Sequence, residues 1–208
     1  MNKWEYLRNA NAFTFVTASE YTERLDVLEK ACQSLRKENV AWALSCSTSL
    51  FFQGIVDDFN DFDILVDVKD IKAMEKALMS IGIKLDPTIQ KRGFASPYYQ
   101  EAHLGDVHFD LIGDITLNTF QGLYCYPVKK QELEWVSLGH NIFVPMVPVE
   151  SSLCLYGMME GWQSKRRFKR ELCYEFLKEN GLKHPEVLEK AMSQNIPDWL
   201  KEVIGSLL

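Results

Sequence analysis

The run Asp61-Phe62-Asp63-Ile64-Leu65-Val66 sets two carboxylates inside a stretch that otherwise reads as a buried strand. Successive side chains of an extended chain point to opposite faces, so Asp61 and Asp63 share one face, roughly 6.5 Å apart along the backbone. Phe62, Ile64 and Val66 take the other face and point into a core. Two anions held side by side repel, and an ordinary buried strand has no reason to keep them there. A divalent cation supplies the reason, because Mg²⁺ takes oxygen ligands and is usually held by one or two carboxylates plus substrate phosphates.

A third acid sits in a comparable setting. In Val107-His108-Phe109-Asp110-Leu111-Ile112 the apolar Val107, Phe109 and Leu111 alternate with His108 and Asp110, so the two polar side chains share a face. A lone aspartate of this kind fits the solvent side of an edge strand equally well. With Asp61 and Asp63 upstream, Asp110 joins them as candidate catalytic and metal-ligating residues. Three such carboxylates can hold two Mg²⁺ ions about 4 Å apart, clamping phosphates and activating a hydroxyl.

Composition removes several function classes. The chain has 208 residues, 47% hydrophobic and 25% charged, as an ordinary globular protein does. A formal net charge of −6 argues against nucleic acid as a partner, since coating a phosphate backbone needs a broad positive surface. No run approaches the roughly 18 apolar residues of a membrane span, and Met-Asn-Lys-Trp-Glu-Tyr lacks a secretory leader's apolar core. Cys32, Cys46, Cys125, Cys154 and Cys173 are odd in number and show no Cys-x-x-Cys pair, which fits reduced packing thiols in a cytoplasmic protein. His103, His108, His140 and His184 show no metal-ligand spacing.

Apolar periodicity predicts an α/β unit over 1–147 and a helical part over 148–208. Helices are expected at 22–38, 47–53 and 70–81, and strands at 40–44, 60–68, 98–104, 106–112, 124–127 and 141–145. Gly105 is expected to join 98–104 to 106–112 as a hairpin. Pro148 suits a helix start, Phe168, Leu172 and Phe176 form an i, i+4, i+8 stripe, and Pro185 and Pro197 punctuate two more helices. Tyr98, Tyr99, Tyr124, Tyr126, Trp135 and Trp162 are either core or lining for an acceptor cleft.

Between the first strand and the acidic one, Ser45-Cys46-Ser47-Thr48-Ser49 runs from strand into short helix. Hydroxyls and N–H groups there suit phosphate oxygens, although a Ser/Thr cluster alone is equally a helix cap. In the tail, Lys165/Lys169 and Arg166/Arg170 are like-charged i, i+4 pairs, unfavourable unless an anion lies nearby. A solvated helix face is the plainer reading of that run, with Glu171 and Glu175 neutralising part of it.

The order strand, Cys46-Ser47, short helix, Asp61-Phe62-Asp63, later strand with Asp110 resembles the nucleotidyltransferase superfamily with its polymerase β-like fold. Cys46-Ser47 stands where that family has Gly-Gly or Gly-Ser. Val56-Asp57-Asp58-Phe59-Asn60 stands where many members carry an arginine. The helical tail resembles that of small bacterial antibiotic-type members. The resemblance implies Mg²⁺-dependent transfer of an NMP group from an NTP such as ATP to a hydroxyl of a small-molecule acceptor. It implies Asp61, Asp63 and Asp110 as metal ligands, Asp110 as proton acceptor, and Ser47, Thr48, Lys165 and Lys169 on the nucleotide. The alternative it leaves is a catalytically degenerate member acting as a nucleotide sensor or protein-binding partner. A second copy could complete the cleft, so a homodimer is left open.

Overall fold

The computed structural model describes residues 18–87, 91–137, 143–160 and 164–208, with the side chains of 18–21 and 164–165 left out. His140, Trp162, the start of the strand expected at 141 and the segment before residue 18 lie outside the described residues.

Nine strands and seven α-helices are described. The strands are β1 (Trp42–Ser45), β2 (Phe62–Val66), β3 (Lys84–Leu85), β4 (Tyr98–Leu104), β5 (Val107–Gly113), β6 (Ile115–Thr119), β7 (Gly122–Tyr126), β8 (Glu134–Ser137) and β9 (Phe143–Met146). The helices are α1 (Ala18–Lys37), α2 (Cys46–Phe52), α3 (Ile71–Met79), α4 (Val149–Met159), α5 (Ser164–Asn180), α6 (Pro185–Met192) and α7 (Asp198–Gly205). Seven strands form one mixed sheet in the order β3-β4-β5-β2-β1-β9-β8, and β6 and β7 form a separate hairpin. β2 runs parallel to β5 and antiparallel to β1.

Strand alternation divides the sheet into two apolar faces. On one, Phe62, Ile64, Val66, Phe109 and Leu111 pack with Leu28 and Leu35 of α1 and Met74 and Leu78 of α3. Phe62 and Phe109, paired across the strands, stack with ring centroids 5.2 Å apart. On the other, Ala43, Leu65, Ile112 and Tyr99 form one cross-strand row and share a core with α4, α5, α6 and α7. All residues of α4 are buried, and from Leu153 onward its sequence is apolar on every side rather than along one stripe; Glu150, in its first turn, is buried with the Lys183 and His184 N–H groups donating to it. The helical part therefore completes the second face of the sheet.

Two expectations need correction. The inward stripe of α5 is not centred on Phe168, Leu172 and Phe176: Phe168 is 61% exposed, Phe176 packs partly buried against the core, and the fully inward positions are Cys173 and Leu177. That one-residue rotation sets Lys169, one turn before Cys173, on the inward face. Among the cysteines, Cys32, Cys154 and Cys173 are buried packing thiols, whereas Cys125 on β7 is exposed. β3, β6 and β8 are strands that the periodicity did not separate from loop.

Gly157 of α4 shows how tightly the tail is seated. A Cβ there would lie 2.7 and 2.8 Å from the two methyls of the fully buried Leu200 in α7. Gly157→Val is expected to lower the unfolding free energy by about 1–3 kcal/mol through overpacking, measured by urea denaturation. Unchanged stability would show that α4 and α7 are not in close contact.

Candidate active site

The second sheet face carries a polar row directly beside its apolar one. Ser45 pairs with Asp63, Asp63 with Asp110, and Asp110 with Glu101, so β1, β2, β5 and β4 each contribute one polar side chain in register. Asp61, immediately before β2, shares the face of Asp63. Both Asp61 and Asp63 keep part of their surface open to solvent. Desolvation, then the charges of Asp61 and Asp110, push the Asp63 carboxyl well above the usual carboxylate range; Lys91 and Lys169 pull it the other way. The three aspartates thus lie within electrostatic reach of one another.

Local structure explains how β1 hands over to this row. Cys46 has φ 52°, in the left-handed region, and lets the chain turn from β1 straight into α2. Glycine takes that conformation freely, whereas an L side chain there costs about 1–2 kcal/mol. Burial, then the Asp63 charge, pushes the Cys46 thiol up, so it stays a neutral packing group. The turn delivers Ser47 to the site, where its hydroxyl accepts a hydrogen bond from Lys169 Nζ of α5. Lys169 also stands over the Tyr156 ring, 5.6 Å from its centroid.

Thr48 has a different position from the one the sequence suggests. Its buried hydroxyl donates to the Asp61 carbonyl at 2.7 Å, so it fixes the backbone at the entry to β2. In the basic run, Arg170 bonds Glu160 at the end of α4 at 2.8 Å, and Arg167 bonds Glu171 within α5 at 2.9 Å. Lys169 turns to the acids, and the Lys165 side chain lies outside the described residues. Of the aromatics, Tyr124 and Tyr126 are core, Trp135 is exposed on β8, and Tyr99 reaches the site. His108 is exposed, two residues before Asp110 on β5 and opposite His103.

Sequence reading missed Lys91. Its ammonium donates to Asp110 Oδ2 at 2.8 Å and to the Tyr99 hydroxyl, lies 3.8 Å from Glu101 Oε1, and stands 4.7 Å from the Tyr99 ring centroid. Nothing in the sequence around Lys91-Arg92-Gly93 marks it, because its partners come from β4 and β5. Among the described residues, no three His, Cys, Asp or Glu side chains come together as a ready-made metal cage. The all-oxygen pair Asp61 and Asp63 nevertheless suits Mg²⁺, which takes one or two carboxylates and completes its shell with water and phosphate.

No protein-family model matches the chain, and no curated protein does. Solved structures do. The Thermotoga maritima protein TM1012, a candidate nucleotidyltransferase, superposes with TM-score 0.52 at 21% identity, over 76% of this chain and 95% of that one. ANT(2'')-Ia, crystallised with adenylyl-2''-tobramycin, gives TM-score 0.56 at 12% identity, over 88% of this chain and 98% of that one. The chain has a nucleotidyltransferase-type fold. In this fold Asp63 on β2 and Asp110 on β5 stand side by side, with the start of α2 following β1, the other neighbour of β2.

Because the Asp63 carboxyl is raised in the folded chain, the stability linked to it is fully present below the ordinary carboxylate range. It is lost as pH rises through the raised value. In EDTA, Asp63→Asn should therefore gain stability relative to the native chain as pH climbs from about 4 to 8, followed by urea unfolding. A pH-independent difference would mean that Asp63 is not held among its like charges.

Proposed function

We propose that this chain transfers a nucleotidyl group from an NTP to a hydroxyl of a small-molecule acceptor. The observation that carries this reading is the in-register pairing of Asp63 with Asp110 on parallel strands, with Lys169 bonded to Ser47 and in electrostatic reach of Asp63. Asp61 and Asp63 would hold Mg²⁺, which when bound would neutralise triphosphate charge and polarise the phosphorus under attack. The chain's own groups have distinct tasks. Lys169 and the Ser47 hydroxyl bind the outgoing phosphates, and the lysine charge stabilises pyrophosphate as it leaves. Asp110, oriented by Lys91 at Oδ2, takes the proton of the acceptor hydroxyl as the oxygen attacks the α-phosphorus. Thr48 keeps Asp61 in place through the backbone.

A small acceptor fits better than a nucleic acid because the net charge is −6 and Glu101, Asp57 and Asp58 add anions near the acidic strand. The adenylyl-2''-tobramycin bound in the ANT(2'')-Ia crystal structure supports the same acceptor class by likeness of fold. The competing reading is a nucleotide sensor. It draws on Cys46 at φ 52°, whose side chain stands where the polymerase β-like fold has a glycine for close backbone approach to phosphate.

Pyrophosphate release with Mg²⁺ and each of ATP, GTP, CTP and UTP, across a panel of hydroxylated small molecules, separates the two. The transferase reading predicts turnover that falls at least ~100-fold in Asp63→Asn and by a similar order in Lys169→Met. NTP binding without pyrophosphate release over the whole panel would favour the sensor. Turnover unaffected by Asp63→Asn would place the chemistry elsewhere.

A further inference from the structure

The three acids do not present equal faces to an incoming cation. Asp61 and Asp63 share one face at the entry to β2, whereas Asp110 is already engaged by an ammonium and by the Tyr99 phenol. Four groups surround Lys91 Nζ: the Asp110 and Glu101 carboxylates, the Tyr99 hydroxyl and the Tyr99 ring. Lys91 offsets one of the two carboxylate charges at that end of the polar row through direct contacts at 2.8 and 3.8 Å. A divalent ion placed on Asp110 would stand within about 4 Å of the ammonium, where like charges repel strongly in a protein cleft. It would also compete with the Lys91 ammonium, which already holds Asp110 Oδ2 at 2.8 Å.

We propose that Lys91 is a built-in cation that takes the place of a second metal ion, so that this site accepts a single divalent cation, at Asp61 and Asp63. The assignment rests on the transferase reading for its purpose: Lys91 supplies fixed positive charge on the acceptor side, and the exchangeable ion works on the nucleotide side. It departs from the two-ion arrangement that three strand carboxylates alone would suggest. With its side chain 38% exposed, Lys91 reaches Asp110 from the rim of the cleft, so its removal opens that carboxylate to solvent and ions without disturbing the core.

Mn²⁺ titrated into the full chain, with free ion read by electron paramagnetic resonance, tests this directly. The native chain should bind one Mn²⁺, and Asp63→Asn should lose it. Lys91→Met should gain a second ion, bound roughly tenfold or more tightly than any second ion on the native chain. Lys91→Arg, which keeps the charge, should stay at one, a control against simple distortion of the site. Two ions on the native chain, or a single site of unchanged affinity in Lys91→Met, would overturn the assignment. So would an absence of Mn²⁺ binding by both. The result is separable from the transferase reading. Pyrophosphate release with no second ion in Lys91→Met removes only the Lys91 role. One ion rising to two without turnover of any NTP removes the transfer reaction and leaves Lys91 in place.

Discussion

The parallel, in-register pairing of β2 with β5 is the constraint from which the rest of the site follows. With Phe62 opposite Phe109 and Asp63 opposite Asp110, one face of the pair stacks two aromatic rings into the core while the other sets two carboxylates side by side. A one-residue slip of β2 would turn Asp63 toward α1 and α3 and Phe62 toward the polar row, so the apolar face fixes the register that the polar face uses. The energy for holding like charges together comes from the opposite side of the same strands. Burial of a ring of this size contributes about 3–5 kcal/mol against truncation to alanine.

The apolar row Ala43, Leu65, Ile112 and Tyr99 lies under the helical part, and the polar row Ser45, Asp63, Asp110 and Glu101 lies next to it. α5 approaches that second row with Cys173 and Leu177 buried and Lys169 one turn earlier on the same face. The cation that meets Ser47 is thus positioned by helix periodicity, while the one that meets Asp110 comes from the chain after β3. The acids receive positive charge from two directions, Lys169 on the side of α2 and Lys91 on the side of β4.

Much of this was legible in the sequence. Alternation around Asp61, Asp63 and Asp110 gave the faces, glycines and prolines gave most element ends, and the Ser45–Ser49 stretch gave the strand-to-helix turn. The positive φ of Cys46 is what the resemblance to a glycine-bearing turn anticipates. What stayed hidden depends on tertiary register. Lys91 is unremarkable until β4 and β5 bring Tyr99, Glu101 and Asp110 around it. The inward face of α5 was misread because Phe168 and Phe176 outweigh Cys173 in any hydrophobic pattern, and only packing against α4 decides between adjacent stripes. Thr48 looked like a phosphate ligand because its hydroxyl's partner, a backbone carbonyl, leaves no mark in the sequence.

The central claim is that this polar row is a nucleotide-charged metal centre built on β2. Anomalous diffraction from crystals soaked with Mn²⁺ and a non-hydrolysable NTP analogue tests it most directly. A manganese peak touching Asp61 and Asp63, with the terminal phosphates on Lys169 and Ser47, is the predicted result. A nucleotide bound elsewhere, or manganese absent from both aspartates while the triphosphate is ordered, would contradict it.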